Sequence, residues 1–236
     1  MFPEISFGGA TFIDMSSIVG PDVAVRGATI GLGIHHTAGR TLLPNATVAE
    51  EVNHIKAINL QHLGQGFWCG LGYNAICFAS GRVYVVGRCA GQRAHVAQRN
   101  HELAGIALAG SFQDAEVPPG CIEGAARWVR AMWAEYGAGL TVAGHREWAI
   151  LSSPTDCPGD GGIAALDEIV RKAMESNMAM TNVQIEDAFL NLYAVLYGST
   201  APNWAAIQPI VDELRAKHPH GLVEALKAVM DRLDAL

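Results

Sequence analysis

The chain has 236 residues, half of them hydrophobic, and a formal net charge of -7. That length and apolar content suffice for one sizeable core plus a small accessory unit. The acidic balance, without long like-charge blocks, excludes nucleic acid and anionic membrane surfaces as electrostatic partners. No apolar run approaches the roughly 18–20 residues that span a bilayer. Met1-Phe2-Pro3-Glu4 lacks the charged and apolar regions of a secretory signal, so synthesis in the cytoplasm without a signal peptide is expected. The five cysteines form no CxxC pair and read as reduced thiols.

In chain order, residues 28–34 read as a short buried strand, ending at the doublet His35-His36. Residues 48–63 carry Val52, Ile55, Ile58 and Leu63 at helical spacing. Residues 73–79 and 83–86 are strand-like and flank Ser80-Gly81-Arg82, a hairpin turn signal. A further buried strand covers 105–110. Pro118-Pro119-Gly120 then breaks the chain before a helical pattern over 122–136. Residues 140–144 form another strand ending at His145, and 163–174 closes the region as a helix through Ile163, Leu166, Ile169 and Val170. Strands alternating with helices predict an α/β domain, a central mixed sheet flanked by helices, over residues 1–175.

Beyond a polar junction at 176–180 the pattern is helical throughout. Thr181 and Gln184 suit a capping box for a helix carrying Ile185, Phe189, Leu192 and Leu196, with Gly198 as its stop. Ile207, Ile210 and Leu214 suggest a middle helix with Pro209 in its first turn, and Leu222, Leu226, Val229 and Leu233 a last one. A small all-α unit over 181–236 is expected. At about 55 residues it is marginal alone, which favours docking on the main domain or homo-oligomerisation through these helices.

The chemistry lies in the first region. One histidine of the doublet, with His145 in Gly144-His145-Arg146 and Cys157 in Asp156-Cys157-Pro158, makes a three-ligand zinc set with one coordination position left open. Such a site makes a nucleophile available at neutral pH, the design of a hydrolase.

Here a resemblance becomes specific. His35-His36-Thr37-Ala38-Gly39, Gly72-Tyr73-Asn74, Gly144-His145-Arg146-Glu147 and Thr155-Asp156-Cys157-Pro158-Gly159 resemble, in order, the motifs of the type 2 N-acetylmuramoyl-L-alanine amidases. That family includes phage zinc endolysins and animal peptidoglycan recognition proteins. Gly87-Arg88, Ala94-His95-Val96, Asn100 and residues 105–112 agree with it, so the resemblance covers roughly residues 28–175. It implies zinc ligands His35, His145 and Cys157, with His36 not ligating. It implies that Tyr73 and Thr155 assist catalysis by hydrogen bonding near the metal and that His95 contacts substrate, with Asn100 placed in the substrate-binding set as a residue that helps hold the same loop. Trp68, before Tyr73, is read from its position as an aromatic lining a glycan or peptide groove on the substrate-binding side. The implied reaction is hydrolysis of the amide between N-acetylmuramic acid and L-alanine of peptidoglycan.

Some members carry a glutamate base on the central strand. Here that position is Ala107, which points to the tyrosine-dependent branch and to a phage or prophage endolysin reaching the wall by holin-mediated release. A cytoplasmic wall-recycling amidase and a peptidoglycan-binding module without catalysis are the alternatives. His145 and Cys157 are further apart than in many relatives, and the extra residues fall in 148–153. Glu147 is a candidate to orient His145 or to pair with Arg146. His62 and His101 are expected to be surface or helix-packing residues.

Overall fold

A computed structural model describes residues 3–19, 24–86, 90–137 and 140–178. Among these the elements run β1 (Glu4–Phe7), β2 (Ala10–Asp14), α1 (Ser16–Val19), β3 (Gly31–His36), α2 (Val48–Gly64), β4 (Ala75–Cys77) and β5 (Val83–Val85). They continue through β6 (Leu103–Leu108), α3 (Pro119–Tyr136), β7 (Thr141–Gly144), α4 (His145–Trp148), α5 (Asp160–Ala164) and α6 (Leu166–Met178). The strands form one seven-stranded mixed sheet in the order β1-β2-β5-β4-β6-β3-β7. The central strands β4, β6, β3 and β7 run parallel, while β1–β2 and β4–β5 are antiparallel.

The parallel strands are buried on both faces and so read as continuous apolar or small-residue runs. Period-two alternation divides them. Leu32, Ile34, Ala104, Ile106 and Leu108 face a core completed by α3 and α6, through Trp128, Val129, Leu166 and Ile169. Ile76, Tyr84 and Ala107 face the opposite core, closed by Val52, Ile55 and Ile58 of α2. His35 pairs in register with Ala107 and therefore shares the α2 face, while His36 pairs with Leu108 on the other. Both histidines are thus the last residues of the strand rather than the first after it. One residue of alternation sends their side chains in different directions.

Local chemistry fixes the helix that borders this face. Thr47 caps α2 by accepting from the Glu50 amide at 3.3 Å, and the Glu50 carboxylate accepts from the Thr47 amide at 2.7 Å. One turn on, the fully buried Glu51 carboxylate accepts from Ser80 Oγ at 2.6 Å, Arg82 Nε at 2.6 Å and Tyr84 Oη at 2.5 Å. These bonds clamp α2 to the β4–β5 hairpin. Three donors, with both oxygens engaged, are what make a buried carboxylate tolerable there.

The β1–β2 hairpin at the sheet edge went unread in the sequence. Gly8 and Gly9, at φ 52° and 74°, make its turn, and two consecutive positive values suit the tight connections that match strand twist. The single helix expected over 163–174 is two helices, α5 and α6, and β7 passes directly into α4. The all-α unit expected over 181–236, the junction residues 179–180, and Gly87, Arg88 and Cys89 lie outside the described residues. No described helix is long and apolar enough to cross a membrane.

Candidate active site

His35, at the end of β3, and His145, where neighbouring β7 becomes α4, come together because their strands are adjacent and parallel. Their rings lie 4.5 Å apart between centroids. Cys157 reaches them from the loop before α5. Its Sγ is 3.7 Å from His35 Nδ1, and one ligand atom from each of His35, His145 and Cys157 lies within 4.8 Å of the others.

The long connection from His145 to Cys157 does not displace the cysteine. The Arg146 amide donates to the Cys157 carbonyl at 2.7 Å, the His36 amide to Cys157 Sγ at 3.4 Å, and the Cys157 amide to Thr155 Oγ1 at 3.2 Å. At the base of the connection Trp148 donates to the Leu32 carbonyl at 3.1 Å. Its ring fills the space beside Gly31, with the Arg99 guanidinium 4.7 Å above it. Extra loop length costs closure entropy only slowly, and these contacts pin both ends.

The three ligand candidates floor a cleft of 380 Å³ whose walls include Thr37, His62, Phe67, Tyr73, Gln113 and Thr155. Tyr73 is set by its neighbour. The Asn74 side chain accepts from the Gly105 amide at 3.0 Å and donates to the Gly91 carbonyl at 2.9 Å, which staples the segment to β6. The Tyr73 ring then stands 5.2 Å from His35, and its hydroxyl donates to the His36 carbonyl at 3.4 Å.

Burial dominates the electrostatics. It holds His35 well below the usual imidazole range, with His145, His95 and His36 adding to the effect. It pushes His145 down to about 4, helped by His36, and the Cys157 thiol up to about 11, partly offset by the His36 amide. Tyr73 is raised by burial and then by Cys157, so it stays a protonated donor. Two neutral imidazoles and a thiol that ionises only when a cation repays the burial fit a borderline-soft divalent metal. A group of two nitrogens and one sulfur is a zinc-type donor set with room for a further ligand.

The remaining sequence candidates are spread around and beyond the cleft. Trp68 is 49% exposed and is not among the residues lining the cleft. Asn100 points at backbone, its Oδ1 accepting from the amides of His95 and Val96 at 2.9 Å each. His95 borders the cleft but is buried beneath His35, with both ring nitrogens within hydrogen-bonding distance of protein atoms. His36 Nδ1 accepts from the Phe112 amide at 3.2 Å. Glu147 accepts from the Gly144 amide at 2.7 Å, and Arg146 pairs with Asp160 at 2.7 Å, so the expected alternatives for Glu147 are both replaced by a cap on its own helix.

His62 belongs to the cleft rather than to the surface. It is buried, accepts from the Gly72 amide at 3.1 Å and meets the Tyr73 ring edge-on at 5.4 Å. The signal was present in the sequence, since Ile55, Ile58 and His62 share one helical face.

The fold is shared with the peptidoglycan recognition proteins. Peptidoglycan recognition protein SA of Apis mellifera superposes with a TM-score of 0.57 over 66% of this chain and 94% of its own, at 18% identity. A tyrosine-to-phenylalanine mutant of Drosophila PGRP-LB in complex with tracheal cytotoxin superposes with a TM-score of 0.55 over 65% of this chain and 90% of its own, at 19% identity. In sequence, peptidoglycan-recognition protein SC1a of Drosophila melanogaster is 29% identical over 145 residues, which cover 57% of this chain and 75% of that protein. Residues 28–160 match the model of the N-acetylmuramoyl-L-alanine amidase family, and the chain belongs to that family.

Proposed function

We propose that this protein is a zinc-dependent N-acetylmuramoyl-L-alanine amidase that hydrolyses the amide between N-acetylmuramic acid and L-alanine in peptidoglycan. The observation that carries the reading is the convergence of His35, His145 and Cys157 on one cleft inside the family-matched segment. A zinc ion held by these three residues supplies Lewis acidity toward the amide carbonyl and a nucleophile at neutral pH.

The chain's own groups do the rest. Tyr73, kept neutral by burial, donates a hydrogen bond toward charge developing on the carbonyl oxygen. Thr155 uses its oxygen to accept from the Cys157 amide, which leaves the hydroxyl proton to donate into the cleft. Ala107 stands beside His35 in register, so β6 brings no carboxylate to the reaction. That absence on β6 favours a wall-degrading endolysin over a wall-recycling enzyme, with residues 1–175 as the catalytic domain.

Zinc-loaded protein incubated with purified peptidoglycan should release peptides bearing free L-alanine amino termini, read by mass spectrometry, and Cys157→Ser should not. Intact peptidoglycan after incubation with zinc-loaded protein would overturn the amidase reading in favour of a module without catalysis, and undiminished release by Cys157→Ser would remove the zinc assignment. Tyr73→Phe should lower kcat by about 10²-fold while zinc affinity holds, because one preorganised donor is lost and no ligand is. A Tyr73→Phe enzyme with unchanged kcat would take the hydroxyl out of the chemistry.

A further inference from the structure

The sheet beneath His35 contains a slot. Gly33 and Gly105 are register partners on β3 and β6, and the His95 ring lies over them. A Cβ on Gly105 would stand 2.7 Å from His95 Nδ1, closer than real side chains come, and one on Gly33 would stand 3.1 Å from His35 Nε2. The ring enters the slot because Asn100 holds the loop, accepting from the amides of His95 and Val96.

Inside the slot the hydrogen bonds have only one consistent direction. His95 Nε2 lies 3.0 Å from the Leu103 carbonyl, which can only accept, so Nε2 carries the proton. A ring buried to 6% exposure stays neutral and has one proton, which leaves Nδ1 bare. That bare nitrogen is 3.1 Å from His35 Nε2, which must therefore be the donor. A metal-ligating imidazole is neutral, so with its one proton on Nε2 the bare nitrogen of His35 is Nδ1, the atom 3.7 Å from Cys157 Sγ. Neither nitrogen of His95 is left for a substrate.

From this chain of contacts we infer that His95 is a positioning residue for the metal centre, transmitting the orientation of the Leu103 carbonyl to His35 and so fixing Nδ1 as the ligating atom. The inference rests on the zinc reading of the site. It assigns the glycines a purpose too: they make the sheet thin enough for a second imidazole to lie under the first. A metal-bound histidine ordinarily gives its other N–H to a carboxylate, carbonyl or water. Here a second histidine, itself locked by a backbone carbonyl, takes that place.

The test uses the full chain, with nitrogen-15 NMR of labelled histidine on chelator-treated protein and zinc affinity measured by competition with a chromophoric chelator. The parent protein should show His35 protonated at Nε2. His95→Leu should mix the two His35 tautomers and weaken zinc binding by about 10–100-fold. His95→Asn, whose Oδ1 replaces Nδ1 as acceptor, should recover most of that loss, which mere filling of the slot would not do. Gly105→Ala, with His95 present but pushed aside, should resemble His95→Leu.

If His95→Leu does not fold, the parent spectrum and the Asn and Ala variants decide the matter. His35 protonated at Nδ1, or parental affinity in His95→Leu, would overturn the inference. Failure of the amidase reading looks different: zinc binds with the expected dependence on residue 95, yet peptidoglycan stays intact.

Discussion

Alanine at position 35 should cost about 10³-fold in zinc affinity, whereas alanine at position 36 should leave affinity within about tenfold of the parent. Zinc held by protein ligands is worth roughly 10–16 kcal/mol. A third of that, lost with one of three ligands, corresponds to about three decades. His36 contributes differently. Its amide donates to Cys157 Sγ and its carbonyl accepts from Tyr73, and both groups survive any side-chain substitution. What His36→Ala removes is the Nδ1 acceptor of the Phe112 amide. A buried amide without a partner costs about 1–3 kcal/mol of stability, so this variant should unfold earlier yet still bind metal. Chelator competition and thermal unfolding on the two variants separate the outcomes, and equal losses of zinc would mean that the doublet has been divided wrongly.

That division was only half legible in the sequence. The apolar runs around 28–34, 105–110 and 140–144 predict strands, and β3, β6 and β7 occupy those places, because central parallel strands buried on both faces are strongly marked. The strand was expected to stop before His35. Polar residues usually end such runs, and it is pairing with the neighbouring strand β6 that carries two histidines to the strand's tip. The motif order picked out His35, His145 and Cys157, yet their approach depends on β3 and β7 being neighbours, a topological fact no local window contains.

Contacts made across the fold were the least readable. Nothing near Trp68 in the sequence says that it stands outside the cleft, whereas Asn100, expected to help hold the His95 loop, meets the His95 amide only five residues away. The helical face of His62 was readable, but hydrophobic periodicity gives a histidine no credit as a core residue. The edge hairpin is weakly marked although Gly8-Gly9 lies between two strand-like segments. A short edge strand presents half-exposed side chains, as β1 does, and so carries a weak pattern.

Burial of so many imidazoles makes the metal-stripped protein sensitive to acid, with a sign fixed by the shifts. In the unfolded chain each histidine titrates near 6.5. In the folded protein His145 is pushed down to about 4 and His95 to about 3, each chiefly by burial, and His35 is lowered in the same direction. Between those values the unfolded state takes up protons that the folded state refuses, so the stability from neutral burial is full above about pH 6.5. It is lost as pH falls through the folded values. With three groups acting together, the melting temperature of the metal-stripped protein should drop by on the order of 10 °C between pH 7 and pH 4.

The alkaline side has the opposite sign. Cys157, raised to about 11 from an ordinary value near 9, contributes stability below the ordinary value that is lost as pH rises through about 11. Zinc should reverse the thiol effect, because a ligating sulfur gives up its proton and the ion repays the burial of the thiolate. Calorimetric melts from pH 4 to 10, with and without zinc, therefore carry two readouts. The stripped protein should be most stable between the two limbs, and zinc should raise stability most at the alkaline end, where protons compete least for Cys157. A stripped protein as stable at pH 4 as at pH 7 would show that the histidines are not held neutral by burial, and the electrostatic case for the metal site would fall with it.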